Sequence, residues 1–249
     1  MSETVTQPGL VIVAIDPADD LATLRAWYEQ TKIPAVLAVP GVVGVKRWEI
    51  LHRYIESQGD GMIIVPAPAD YVVIYELADV TVARSDAFLD AIGRDFSLVA
   101  DVDGKSIEFE QVMSVTLGEL RDAVNPGVSS DDTRAMLVVS ITPERDYIEK
   151  FHAWYDEEHV GELMSCPGFI RTRRYKALDG VPNFFSIYEL DSPDALQTDT
   201  FKGFSGRTHD QLPPIHQGVA LVKGNWSVET GTPSVPAKPS PAKVEVQAR

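Results

Sequence analysis

Two histidines on one short stretch, His152 and His159, offer the clearest acid–base chemistry in the chain. They stand seven residues apart, close to two helical turns, with Tyr155 between them and Glu158 beside the second. Apolar side chains at Ile148, Phe151 and Tyr155 mark one helix face, and a further step of four reaches His159. The spacing therefore predicts His159 turned inward near the C-terminal end of this helix. The negative end of the helix dipole and the adjacent Glu158 would there favour imidazolium and raise its pKa. An imidazole titrating near neutrality suits general acid–base work. The plainer role is a hydrogen bond to a helix-end carbonyl.

Other side chains could hold or polarise a substrate. Arg174 is a guanidinium able to grip a carboxylate in bidentate fashion. It has a match in Arg47, which favours a structural ion pair. Arg171 and Arg173 point to the opposite strand face, and would hold an acidic substrate if that face lines a cavity. Tyr155 could donate to a developing oxyanion. Trp154 and Tyr188 are expected in the core, with a share in a substrate pocket. His209 and His216 flank a Leu-Pro-Pro turn and could edge the pocket or lie on the surface. His152, Asp156 and His159 form in outline a two-histidine, one-carboxylate set. It matches no zinc-protease signature, and Asp156 has an acidic counterpart in Glu29, so no metal is expected. Cys166, the single cysteine, permits no intrachain disulfide and reads as a small apolar residue.

The elements that position these residues come in two copies. Trp27-Tyr28-Glu29 returns as Trp154-Tyr155-Asp156, Pro40-Gly41-Val42 as Pro167-Gly168-Phe169, and Arg47-Trp48 as Arg174-Tyr175, each 127 residues later. Tyr75-Glu76-Leu77 returns as Tyr188-Glu189-Leu190 after 113, so the first copy carries an insertion of 14 residues within 50–70. By the same shifts His159 stands opposite Lys32, Glu158 opposite Thr31 and His152 opposite Arg25, so the ionisable set belongs to one copy.

Each copy reads as strand (10–15; 136–141), helix, Pro-Gly turn, strand (42–50; 169–176), strand (71–77; 183–190), helix (84–94; 195–206) and strand (109–117; 219–228). This is the βαββαβ order of a ferredoxin-like unit, with helices on one face of an antiparallel sheet. The bare face must be covered. The expected fold is α+β, two ferredoxin-like repeats forming an intrachain pseudo-dimeric α/β barrel around a hollow. Residues 1–9 read as a tail, 10–119 as the first repeat, 120–134 as a linker, 135–229 as the second repeat and 230–249 as a disordered tail. Segment 97–106 is expected outside the core elements.

A net charge of −15 disfavours nucleic acid and anionic membranes as partners, and no apolar run reaches the ~18 residues of a membrane helix. The N-terminus lacks the pattern of a signal peptide, so a cytoplasmic protein is expected. No phosphate loop, dinucleotide fingerprint or nucleophile elbow is present, and no cofactor is expected.

Trp154-Tyr155-Asp156-Glu157-Glu158-His159-Val160, with Pro167-Gly168-Phe169 and Arg173-Arg174-Tyr175, resembles the EthD-like branch of the dimeric α/β-barrel superfamily. That resemblance implies the barrel fold. It brings in cofactor-free monooxygenases, muconolactone-isomerase-like enzymes, dehydratases and haem proteins such as chlorite dismutases. The expected function is a cofactor-independent lyase, isomerase or dehydratase acting on a small, largely apolar substrate, aromatic ones included. His159 would be its general acid or base, tuned by Glu158 and assisted by Arg174 or Tyr155. The alternatives are a haem-binding or monooxygenase-type barrel, with His159, His209 or His216 as axial ligand, and a binding protein without chemistry. A homodimer is an open expectation.

Overall fold

The structure, a computed structural model, describes residues 6–16, 21–49, 53–57, 61–65, 71–93, 97–102, 105–141, 143, 145–178 and 184–204. His209, His216, the strand expected at 219–228 and the C-terminal tail lie outside them.

The first half runs β1 (Gly9–Asp16), helix, β2 (Val42–Glu49), a hairpin β3 (Arg53–Ser57) and β4 (Gly61–Val65), then β5 (Tyr71–Leu77). A 3-10 turn (Val80–Arg84), α3 (Asp86–Ile92), β6 (Ser97–Val102) and the long β7 (Lys105–Val124) complete it. The second half repeats the order with β8 (Ala135–Ile141), helix, β9 (Phe169–Ala177), β10 (Phe184–Leu190), a 3-10 turn (Pro193–Gln197) and α6 (Asp199–Phe204). The sheet order is β2-β5-β1-β7-β9-β10-β8, with antiparallel pairs throughout and β6 paired to β7. In the first half this is the strand order of a ferredoxin-like unit. The protein is α+β, a curled antiparallel sheet built as a pseudo-dimeric α/β barrel.

Two expectations change. Residues 97–102 are strand, not a segment outside the core, and the supposed linker begins inside β7. That strand pairs with β1 through Glu110–Gly118 and with β9 through Leu117–Val124, so one strand serves both halves. Turn signals such as Asn125-Pro126-Gly127 set the end of the strand, and nothing local marks 120–124 as extended. Its partner is distant in sequence.

Side chains alternate across each strand, and both faces are buried. Val11, Val13, Tyr71, Val73 and Tyr75 meet the first-half helices, while Leu137, Phe184, Tyr188 and Leu190 meet those of the second. The other face forms one shared core that includes Leu10, Ile12, Trp48, Ile74, Val138, Tyr175 and Ile187. Trp48 comes from an edge strand of one half and Val138 from the far edge of the other, so the sheet curls until its ends share a core. Among the described residues no helix is long and apolar enough to cross a membrane.

The first helix of each half is interrupted in the same place. α1 (Leu21–Trp27) passes through a π turn (Tyr28–Lys32) into α2 (Ile33–Leu37), and α4 (Ile148–Trp154) through a π turn (Tyr155–His159) into α5 (Val160–Met164). Ile33 N–H donates to Tyr28 O and Val160 N–H to Tyr155 O. The buried residues step by five there, from Tyr28 to Ile33 and from Tyr155 to Val160, which an i→i+5 turn keeps on one face.

After each helix a glycine turns the chain at positive φ, Gly41 at 91° and Gly168 at 88°. A Cβ on Gly168 would meet Ala195 Cβ and Asp191 Oδ1 at 2.7 Å, and one on Gly41 would meet Val82 Cγ2 at 2.6 Å. Both conformation and contact demand glycine. Gly168→Ala is therefore expected to destabilise the fold by about 1–3 kcal/mol, read as a lower urea midpoint. An unchanged midpoint would refute this account of the turn.

Candidate functional site

The π turn decides where the predicted residues go. Because it shifts the buried face by one residue, Val160 continues the stripe after Tyr155 and His159 rotates off it. The helix also continues to Met164, so His159 is not at its C-terminal end, and the helix-dipole argument for its charge fails there. The final carbonyl, Met164 O, accepts instead from Asn125 Nδ2 at 2.9 Å. The helix packs on the sheet face opposite the shared interior, so His159 does not look into the space between the halves. Its ring stacks on Trp154 at 4.5 Å, meets the Tyr155 ring edge-on at 4.9 Å, and places Nδ1 3.7 Å from Glu162 Oε2. The side chain keeps 16% exposure, and Glu158 is exposed. A carboxylate near the imidazole is Glu162, one helical turn on, a residue outside the sequence expectations.

Lys32, the counterpart of His159, lies over the Trp27 ring at 5.3 Å, and burial lowers its pKa to about 8. The asymmetry expected between the halves is thus weaker at this position than residue types suggested.

A second group gathers between α4 and the sheet. Arg174, 2% exposed, reaches Asp156 Oδ1 at 2.5 Å and donates from Nη2 to His152 Nδ1 at 3.1 Å. Its guanidinium lies over the Tyr155 ring at 4.2 Å and the Phe151 ring at 5.5 Å. The Tyr155 and Tyr188 hydroxyls are 2.7 Å apart, and Ser186 also bonds Tyr155. Burial pushes both phenols up, so they stay protonated and can donate. A guanidinium has no acceptor, so the His152 Nδ1 must accept and, in the neutral ring, Nε2 carries the proton. Burial first and Arg174 second push His152 below the ordinary histidine value, with Asp156 opposing. This neutral, tautomer-fixed imidazole can serve as a hydrogen-bond donor.

Tyr155, Arg174, His152, Trp154, Tyr188 and His159 are thus brought around one helix–strand junction. Much of the frame recurs in the first half. Arg47 pairs with Glu29, and Tyr28 bonds Tyr75. Arg174 and Arg47 therefore act as the structural ion pairs expected of them. The second half differs in His152 for Arg25, Phe184 for Tyr71 and Ser186 for Val73.

Arg173 is not part of this group. It faces the shared interior, 2.8 Å from Glu189 Oε1 and 3.3 Å from Glu76 Oε1 across the halves. Lys46, its counterpart, stands 3.3 Å from Glu76 and 3.7 Å from Glu189. Burial raises the Glu76 carboxyl, but Lys46 and Arg173 outweigh it and hold the group below the usual range. Glu76 and Glu189 were visible as repeat markers, and strand alternation could have flagged them as facing charges. Among the described residues no cluster of three or more metal-ligating side chains is placed to hold a metal.

His152 gives a pH test. Its folded pKa lies below the unfolded one, so the unfolded chain takes up the proton more readily. Stability is then full above the ordinary value of about 6.5 and declines as pH falls through it toward the folded value. Urea midpoints between about pH 7.5 and 5.5 should fall more steeply for the native chain than for His152→Gln. Equal slopes would contradict a depressed His152.

No family model and no curated protein matches the chain. Among solved structures it is similar to a candidate chlorite dismutase, with 9% identity, a TM-score of 0.52, and coverage of 88% of this chain and 95% of that one. A chlorite dismutase variant from Candidatus Nitrospira defluvii matches at 11% identity and TM-score 0.49, over 91% and 92% of the two chains. A candidate monooxygenase from Fusobacterium nucleatum subsp. nucleatum matches at 10% and 0.46, over 92% and 97%. At such identities the likeness is one of fold, and the fold is that of the ferredoxin-like dimeric α/β barrels.

Proposed function

We propose that the chain is a cofactor-independent enzyme of the EthD-like kind, moving a proton on a small, largely apolar substrate at the flank of α4 and α5. His159 is the acid–base group, with Glu162 rather than Glu158 as the carboxylate that orients it. The observation that carries this reading is the placement of His159: a mostly covered imidazole on the Trp154 face, 3.7 Å from a carboxylate and still open to solvent for proton exchange. Trp154 offers an aromatic wall to an apolar substrate. Arg174, Asp156 and His152 act as positioning residues, since they fix the helix on the sheet and hold Tyr155 beneath His159. Tyr155, protonated and buried, donates only to groups within the layer.

A haem reading needs an axial histidine over an open face. His152 has Nδ1 committed to Arg174 and packs edge-on against Phe184 at 4.5 Å, while His159 is covered by Trp154. Neither fits that role, and His209 and His216 lie outside the described residues.

The test is proton exchange in D2O across a panel of small enolisable and hydroxyaromatic compounds, read by mass spectrometry. The native chain should exchange at least one of them. His159→Gln should lose roughly 10²–10⁴-fold, Glu162→Gln should lose less, and Glu158→Gln should be unchanged. Native-level exchange in His159→Gln would end the proposal. Activity arising only with added haem, with a Soret band, would favour the haem barrel. Ligand-induced stabilisation with no exchange anywhere in the panel would favour a binding protein.

A further inference from the structure

Taking a cation partly out of water is costly unless a carboxylate answers it. Lys46, Arg47, Arg121, Arg171, Arg173 and Arg174 all have a carboxylate oxygen within 3.3 Å. Apart from Lys32, the other lysines and arginines whose side chains are described are exposed. Lys32 is half-buried, yet among the described residues no carboxylate pairs with it. The chain carries a net charge of −15, so the gap is one of placement and not of composition.

The Lys32 Nζ lies over the Trp27 ring at 5.3 Å, and an indole face compensates a cation less than a carboxylate does. Glu29, in the same π turn, is committed to Arg47, and Arg25 on α1 is exposed. Burial lowers the pKa of the amine to about 8, and no charged group among the described residues opposes that. Lys32 is the last residue of its π turn, as His159 is of the other. Each lies against the tryptophan five residues before it, Trp27 or Trp154. The equivalent place on the two halves thus carries an imidazole in one and a poorly solvated amine in the other. A protonated amine is no nucleophile, whereas a neutral one attacks a carbonyl carbon. At about pH 7 roughly a tenth of such amines are neutral, against fewer than about one in a thousand for an ordinary lysine.

We propose that Lys32 is a second reactive centre, on the helix flank of the first half, that condenses with small uncharged aldehydes. The nitrogen lone pair forms the C–N bond at the carbonyl carbon. The carbonyl oxygen takes up the two amine protons and leaves as water. The product is an imine, reached with no oxidant or reductant. The acidic chain works against anionic aldehydes.

Incubation of the native full chain with benzaldehyde and sodium cyanoborohydride at about pH 7.5, read by digestion and mass spectrometry, tests this. The hydride serves only to fix the imine as a secondary amine. Lys32 should be benzylated about ten- to a hundredfold faster than the exposed Lys150, Lys176 and Lys202. In urea that lead should vanish. Trace labelling with fluorodinitrobenzene should quicken as the proton leaves, with a midpoint at about pH 8 for Lys32. The exposed lysines should keep climbing beyond about pH 10. His159→Gln should label at Lys32 as the native chain does, which keeps this outcome separate from the proton-transfer reading. The proposal is overturned if Lys32 reacts no faster than the exposed lysines, if its midpoint lies with theirs, or if its lead survives in urea.

Discussion

A sheet buried on both faces cannot leave a charge unanswered on either one. The helices cover one side of this sheet and the opposite half covers the other, so a charged group buried on either face must find a partner. Arg173 and Glu189, with exposures of 6% and 0%, meet that demand by pairing with each other and with Glu76 and Lys46 across the halves. Thr133 donates a further hydrogen bond to Glu189 at 3.1 Å. Buried ion pairs often contribute little net stability against an apolar alternative, but removing one member leaves a stranded charge. What the quartet supplies is register, because each cation touches a carboxylate of its own half and one of the other.

The same demand operates on the helix side, where Arg174 answers to Asp156 and Arg47 to Glu29. Arg121, from the part of β7 that crosses into the second half, also reaches Asp156 at 3.3 Å. The helix bearing the candidate site is therefore tied to its own sheet and to the strand that joins the halves. Movement of β7 against β9 would be felt at Asp156, then Arg174, then His152.

The repeat, the strand order and the helix-side ion pairs were legible because each left a matching pair of residues in the sequence. The facing of His159 was not, since a four-residue step assumes an unbroken α-helix. The signal existed: Tyr155 to Val160 and Tyr28 to Ile33 are both apolar steps of five, and neither fits a 3.6-residue period. Which face of β9 looked inward was also hidden, because Arg171 and Arg173 alternate with Thr172 and Arg174 and all four positions are polar. Only the curl of the sheet, set by residues far apart in the chain, assigns Arg173 to the interior. Trp48 and Tyr175 stand at matching positions in the sequence, and only the curl of the sheet buries both in one shared core.

The two matching halves also separate what the fold requires from what it merely tolerates. Position 25 holds arginine and its equivalent, 152, holds histidine, while the helix and its π turn are the same in both halves. The frame therefore does not need an imidazole. The substitution does change the chemistry open to the neighbouring guanidinium. Arg25 brings a guanidinium, which has no acceptor, whereas His152 accepts from Arg174, and burial first and Arg174 second push its pKa down. Replacing Val73 with Ser186 adds a hydroxyl to the same layer, where Tyr155 uses it. One frame thus stands once in plain form and once with an imidazole and a hydroxyl added to the layer between helix and sheet.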